Sequence, residues 1–337
     1  MTAVSPPLAL TMGDPAGIGG ELTLKVWESR DRGVPPFVVV DDPRRLRALA
    51  SSLGIAPRIV EVDRPEAALA CFGEALPVLP VWLPVPPVPG CPEPANAPTI
   101  VAAIDVAVRL ATAGAAAAVV TNPIHKKSLY DAGFPFPGHT EYLAELAGGG
   151  AVPVMMLAGP TLRVVPVTVH VSLRTALATL STEAIVEAGT ITEAALRRDF
   201  AVAQPRLAVA GLNPHAGEEG ALGEEERTII APAVTALRAR GIDARGPLPP
   251  DTLFSPTARR GFDAALCMYH DQALIPIKAL EFDQAVNVTL GLPFVRTSPD
   301  HGTAFDIAGR GEADPSSLLA ALTLAQAIGR RRAEALR

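Results

Sequence analysis

Aromatic residues make up only 4% of this 337-residue chain. Core volume therefore falls to Ala, Val, Leu and Ile, a mix that suits buried parallel strands under helices better than an aromatic-rich β-sandwich. Cysteine is scarce as well: Cys71, Cys91 and Cys267 are odd in number, widely spaced and form no C-x-x-C pair. That argues against a disulfide scaffold and a cysteine zinc site, and it fits a reducing cytoplasm. Positive charge is not in excess, with a net charge of -6 and a pI near 5.6. A nucleic-acid groove or a polybasic membrane patch is thereby disfavoured, although a local cationic pocket for an anionic substrate is not. The apolar runs are broken by Gly, Pro or charge before about 18 residues, so no membrane span is expected. No basic region followed by an apolar stretch opens the chain. Both common nucleotide-loop patterns, G-x-G-x-x-G and G-x-x-x-x-G-K-[ST], are missing.

What the sequence does have is core-forming material, with 49% hydrophobic and 19% charged residues. The length predicts about two domains of roughly 100–200 residues each. Of the 34 prolines, many crowd into 76–98 (LPVLPVWLPVPPVPGCPEPANAP). Proline removes a backbone donor, so this stretch reads as a surface excursion or an edge hairpin. Elsewhere short β-like runs at 8–12, 37–40, 115–120, 164–169, 207–212 and 264–269 alternate with helical runs such as 43–53, 100–113, 182–197 and 224–240. Such alternation predicts an α/β fold with a largely parallel sheet.

Three of the six histidines close predicted strands: His170 after VVPVTV, His215 in LAVAGLNPH, and His270 in ALCMYH. Parallel strands point their carboxyl ends to one rim, where ligands bind. If these strands are neighbours, three imidazoles converge there, a donor set that suits zinc and similar divalent ions and leaves positions open for substrate. The competing reading is that each histidine simply bonds a nearby carbonyl. The turn MGDPAGIGGEL links a strand to a helix, and its glycines permit close backbone approach to a ligand or to another element. In FPGHTE, His139 and Thr140 stand at a predicted helix start, where Thr140 either caps the helix or, with His139, offers donors to an anion. Lys278, Asn287 and Arg296 follow at intervals through a stretch of low charge density, which fits a buried anion pocket as well as solvated surface charges.

Together, MGDPAGIG, TNPIHKKSLYDAGFPFPGHTEYLA, GLNPHAGEEG, CMYHDQALIPIK and TSPDHGTAFDIAG closely resemble the 4-hydroxythreonine-4-phosphate dehydrogenase family of pyridoxal-phosphate biosynthesis, from about residue 8 to the last helix. The final block also resembles a loop of isopropylmalate and isocitrate dehydrogenases, which bind the dinucleotide without a Rossmann fingerprint. The resemblance implies a two-domain α/β/α architecture with a cleft, isopropylmalate-dehydrogenase-like, with the domains at 1–140 plus 305–337 and at 141–304. It implies a homodimer whose active site is shared between subunits, with no nucleic acid and no membrane among its partners. It assigns a divalent metal (zinc, cobalt or magnesium) to His170, His215 and His270, with His270 supplied by the partner subunit. A small phosphorylated amino-acid substrate is assigned to His139, Thr140, Lys278, Asn287 and Arg296, and NAD or NADP to His301, Gly302, Thr303, Ala304 and Asp306. Asp251, Asp271 and Lys278 are the candidates for proton handling. The implied reaction oxidises 4-phosphooxy-threonine and releases carbon dioxide. Within the family the alternatives are another hydroxy acid, such as a threonate or erythronate phosphate, or an aromatic cis-dihydrodiol; outside it, a metal-dependent hydrolase. One departure is Gly20, where the family pattern often has Pro, a difference expected to touch helix rigidity only.

Overall fold

The computed structural model describes residues 5–136, 138–148 and 150–335. Among these residues the strands are β1 (Leu8–Thr11), β2 (Phe37–Asp41), β3 (Ile59–Glu61), β4 (Leu76–Pro80), β5 (Val119–Thr121), β6 (Val154–Ala158), β7 (Arg163–Pro166), β8 (Arg206–Ala210), β9 (Asp243–Leu248), β10 (Ala264–Cys267), β11 (Val286–Leu290) and β12 (Arg296–Pro299). The chain divides into two units, Met1–Val152 with Leu292–Ala333 and Pro153–Gly291 with Glu334–Arg337. Sequence reading set the boundaries at 140/141 and 304/305; the contacts set them elsewhere. Packing gives the reason, because Tyr142 and Leu143 lie in one buried cluster with Ile104, Leu129, Leu292 and Phe294. Strand β12 also pairs with β5, which brings Arg296 into the first unit.

In the first unit the strand order is β3-β4-β2-β1-β5-β12, every pair parallel. Both β1 (LALT) and β2 (FVVVD) are buried along their whole length, which is why they read as unbroken apolar runs rather than as alternation. Helix Pro43–Ser52 begins where the Asp42 side chain accepts from the Arg44 N–H, with Pro43, which has no N–H, at the first helical position, so two of the donors left open at a helix start are accounted for. Segment Pro94–Thr112 is the one described helix long and apolar enough to cross a membrane, with mean hydropathy 1.2, and Pro98, Asp105 and Arg109 interrupt its apolar run. Its Ile100, Ala103, Ile104, Ala107 and Val108 pack into the core beneath the sheet.

The proline-rich stretch also corrects an expectation, because β4 is an interior strand between β3 and β2. The prolines fall where the ladder does not need them. Leu76 N donates to Arg58 O, and Val78 O accepts from Val62 N, so even positions face β3; Val81 N donates to Asp41 O, so odd positions face β2. Pairing to β3 ends at Val78, before Pro80, and pairing to β2 begins at Val78, after Pro77. Each proline thus lies outside the paired stretch on the side toward which its nitrogen points. Gly20 is explained by packing too: a Cβ there would lie 2.9 Å from Leu49 Cδ2 and 3.0 Å from Arg45 Nη1. The Arg45 guanidinium is itself held by a buried pair with Asp41, so the consequence of Gly20 goes beyond helix rigidity.

In the second unit the order is β11-β6-β7-β10-β8-β9. Strand β10 is parallel to both β7 and β8, while β6 runs antiparallel to β7 and β11 antiparallel to β6. Its core is aliphatic, with Leu157, Val164, Ala208, Ala265, Cys267 and Ile277 in one cluster.

Candidate active site

The condition set by the sequence, that the three histidine-bearing strands be neighbours, is met: β7, β10 and β8 are adjacent and parallel. The strands end earlier than read, at Pro166, Ala210 and Cys267, and each histidine follows on the segment beyond. The segments are tied together. Thr168 Oγ1 donates to Met268 O at 2.8 Å. Gln272 accepts from Met268 N at 2.7 Å and donates to Gly211 O at 2.7 Å, bridging the His270 helix to the turn before His215. Nothing in the sequence singled out Gln272.

The rings of His170 and His270 lie with centroids 5.6 Å apart, beside a cavity of about 290 Å³ lined by Thr168, Val171, Tyr269 and Asp271. His270 Nδ1 is 2.7 Å from Asp271 Oδ1, which leaves Nε2 as its outward nitrogen. His215 Nδ1 is 3.9 Å from Asp251 Oδ2, both side chains being exposed. Among the described residues of one chain, no three His, Cys, Asp or Glu side chains gather closely enough to hold a metal ion.

His215 opens a run of left-handed backbone, with φ of 53° at His215, 54° at Ala216, 80° at Gly217, 42° at Glu218 and 58° at Glu219. Four of these five are not glycine, so the run is strained. Glu226 holds its entrance: Oε1 accepts from Leu212 N and Asn213 N, each at 2.7 Å, and Oε2 accepts from Asn213 Nδ2 at 2.9 Å. Burial acts to raise the Glu226 carboxyl, and these donors outweigh it, so the group lies below the usual carboxylate range. Glu226 carried no signal either, since it sits in a run of glutamates that reads as a solvated face.

The predicted substrate residues divide between the units. Lys278 and Asn287 belong to the second, on helix His270–Glu281 and on β11. His139, Thr140 and Arg296 belong to the first. Arg296 is buried, and its Nη2 donates to Thr121 Oγ1 at 2.7 Å; burial pushes its guanidinium down to about 10. His139 and Thr140 open helix His139–Leu146. The His139 Nε2 atom is buried without a hydrogen-bond partner among the described residues. Burial, and then the charges of Arg296 and Lys126, hold this imidazole well below the usual histidine range. The helix is braced by a hydrogen bond from the Tyr142 hydroxyl to Asp105 Oδ1.

Loop residues His301, Gly302, Thr303, Ala304 and Asp306 lie against the glycine-rich first turn. Ile18 N donates to Thr303 O at 3.0 Å, and a Cβ on Gly17 would meet that same oxygen at 2.9 Å. On the other side the proline-rich segment packs in, with the Gly90 Cβ position 2.9 Å from Phe305 O. Beside Gly17 and Gly309 opens a cavity of about 540 Å³, walled by Pro84, Pro86, Pro87, Pro89, Leu49 and Arg44. Within the loop the left-handed residue is Ala304, φ 44°. Gly302 has an unremarkable φ and open space where a side chain would stand.

A sequence profile of the family described as pyridoxal phosphate biosynthetic protein PdxA matches residues 34–325. The chain belongs to this PdxA family. Among family proteins, the 4-hydroxythreonine-4-phosphate dehydrogenase of Caulobacter vibrioides is 54% identical over 333 residues, covering 97% of this chain and 99% of that protein. The enzyme of the same name from Bradyrhizobium diazoefficiens is 57% identical over 331 residues, covering 95% and 96%. The crystal structure of the Klebsiella pneumoniae 4-hydroxythreonine-4-phosphate dehydrogenase superposes with a TM-score of 0.87 at 42% identity, covering 96% of this chain and all of that one.

Proposed function

We propose that this PdxA-family chain is an oxidoreductase that converts 4-hydroxythreonine 4-phosphate, with NAD or NADP, to 3-amino-2-oxopropyl phosphate and carbon dioxide in pyridoxal-phosphate biosynthesis. Beyond family membership, the observation that carries the reading is the adjacency of β7, β10 and β8, each leading into a histidine.

Three imidazoles are a fitting donor set for a divalent ion. The described residues of one chain do not gather all three. The family resemblance divides them as His170 and His215 from one subunit and His270 from the other, so the in-chain approach of the His170 and His270 rings is not itself the metal site. The surface beside these histidines supports that assembly, because Val171, Leu173, Leu177 and Ile275 are all exposed, Ile275 by 66%. When bound, the ion supplies Lewis acidity that lowers the pKa of the substrate hydroxyl and stabilises the charge left when carbon dioxide departs, while the nicotinamide accepts the hydride.

The chain's own residues do the rest. Asp271 orients the His270 ring through Nδ1, and Asp251 supplies a carboxylate 3.9 Å from His215 Nδ1. Arg296, Lys278, Asn287, His139 and Thr140 bind the substrate's carboxylate and phosphate; the buried Arg296 is the strongest of them, because low polarity magnifies its charge. Lys278 is the candidate to return a proton to carbon after decarboxylation, which balances the hydroxyl proton lost on oxidation. The 301–306 loop and the cavity by Gly309 receive the dinucleotide.

The test is absorbance of reduced nicotinamide on adding 4-hydroxythreonine 4-phosphate and a divalent metal, with the product identified by mass. Turnover that requires metal and releases carbon dioxide is expected. Ester cleavage without nicotinamide reduction would overturn the proposal.

A further inference from the structure

A side chain that the substrate reading leaves out lies over the start of helix His139–Leu146. Two consecutive lysines follow His125, and they behave differently. Lys127 pairs with Asp131 at 2.8 Å. Lys126 is exposed, and the described residues give it no hydrogen-bond or ion-pair partner. Its stem and ammonium instead pass over Gly138, the residue before the helix. A Cβ built there would lie 3.3 Å from Lys126 Cε and 3.4 Å from Nζ. Gly138 is buried with an extended φ of 179° that any residue can adopt, and its missing Cβ leaves the lysine room to pass close to the backbone.

Around this point the first unit gathers several groups suited to an oxyanion. The helix start offers unpaired backbone N–H groups, and the partnerless Nε2 of His139 is buried there. Arg296 is buried nearby and, like Lys126, depresses the His139 pKa. Neutral imidazole still carries one N–H, so it remains a donor to an anion. One carboxylate stands in opposition: Glu141 Oε2 is 3.4 Å from the same Cβ position. An incoming anion must outcompete it for the ammonium.

We propose that Lys126 is a further substrate-binding residue, which closes over Gly138 onto the phosphate of the substrate held at His139, Thr140 and Arg296. The proposal rests on the reading that these three residues bind the anionic substrate. A dianionic phosphate matches the two cations, Lys126 and Arg296, better than a singly charged carboxylate does. Lysine supplies a mobile point charge here, where Arg296 supplies a fixed fork.

The test uses the full-length protein, with inorganic phosphate as probe and acetate as control, followed by calorimetry. Lys126→Ala should weaken phosphate binding about five- to tenfold, just below the range for a buried charge-assisted contact because the lysine is exposed. Lys126→Arg should restore most of it. KM for the phosphorylated substrate should rise in Lys126→Ala with kcat within about twofold, as for a binding contact made equally in ground and transition states. A ligand-free readout accompanies these: losing the Lys126 charge should raise the His139 pKa, followed by NMR of its ring protons. Phosphate affinity unchanged in Lys126→Ala would overturn the assignment. Acetate bound as tightly as phosphate, and weakened equally by the substitution, would overturn the choice of phosphate. Wild-type protein that binds phosphate yet turns over no phosphorylated substrate would overturn the function reading instead, and the phosphate titration would still decide Lys126.

Discussion

Replacing Glu226 by Ala should loosen the turn that carries His215 far more than it unfolds the protein. The wild-type carboxylate accepts from Leu212 N, Asn213 N and Asn213 Nδ2. Three charge-assisted bonds are worth about 1.5–3 kcal/mol each, and water reaching this half-buried segment recovers part of that, leaving about 3–5 kcal/mol. Against it stand four non-glycine residues in left-handed conformation, His215, Ala216, Glu218 and Glu219, each costing about 1–2 kcal/mol. The two sums are comparable. Once the clamp is gone the strained run has reason to unwind, and unwinding refunds much of the loss. Global stability should therefore fall by only about 1–3 kcal/mol, while the turn opens locally. Native-state hydrogen exchange separates the two effects. The amides of Ala216, Ala221 and Leu222, which bond to Asn213 O, Glu218 O and Gly217 O, should lose protection in the variant, while those of β8 keep theirs. Wild-type protection at these three amides in Glu226→Ala would refute the clamp.

Gly13→Ala should cost about 2–4 kcal/mol in urea unfolding, from left-handed strain plus overpacking, because φ is +68° and the new Cβ would lie 2.7 Å from Asn122 Cβ and Pro123 O; a loss under about 1 kcal/mol would contradict the packing. Gly302→Ala should stay within about 0.5 kcal/mol, since its Cβ would meet nothing within 4 Å and open surface positions are tolerant. Asp263 is acted on first by burial, which raises its carboxyl, but hydrogen bonds and charge from Arg206 prevail and hold it below the ordinary range. Its contribution is therefore fully present above about pH 3.9, the unfolded value, and is lost as pH falls through the folded one. Asp263→Asn should lower Tm at pH 7, and the gap to wild type should narrow as pH falls below about 3.9; a gap that does not narrow on acidification would refute this. Mixing inactive His170→Ala and His270→Ala dimers should restore up to about a quarter of wild-type activity if the site is shared across a two-fold axis. Confirmed mixed dimers with no recovered activity would place His170 and His270 of each site in the same chain and refute this division of the ligands.

The strands that were easiest to read are those whose burial is uniform. In β1, β2, β5 and β10 an unbroken apolar run leaves no other home for the segment, so composition alone located them. Strand β4 was misread because proline content was weighed without register, and only the neighbours' ends show that Pro77 and Pro80 fall outside the pairing on the sides their nitrogens face. The boundary between units was misplaced for a related reason: burial of Tyr142 and Leu143 against Leu292 and Phe294 is a long-range contact with no local signature. In the candidate site, the histidines stood out through their place at strand ends. Their supports did not. Glu226 and Gln272 act through hydrogen bonds to backbone groups 13 and 61 residues away, and their flanking sequence shows nothing of it. Of the five loop residues assigned to the dinucleotide, the left-handed one is Ala304 and not Gly302, which sequence alone does not show.

The two prolines of β4 have a consequence for how the first unit assembles. In a parallel sheet, sliding a strand by two residues keeps the same side chains facing inward, so burial alone distinguishes poorly between such alignments. Here a slide in one direction would carry Pro80 to the place of Val78, facing β3 with no hydrogen to give. A slide in the other would carry Pro77 to the place of Leu79, with the same deficit toward β2. Each mistaken alignment sets a proline where the native ladder has an N–H donor, and the native one leaves both rings past the edges of the pairing. The sequence LPVLP thus acts as a vernier with a mark at each end, admitting one alignment between two strands that would otherwise tolerate several.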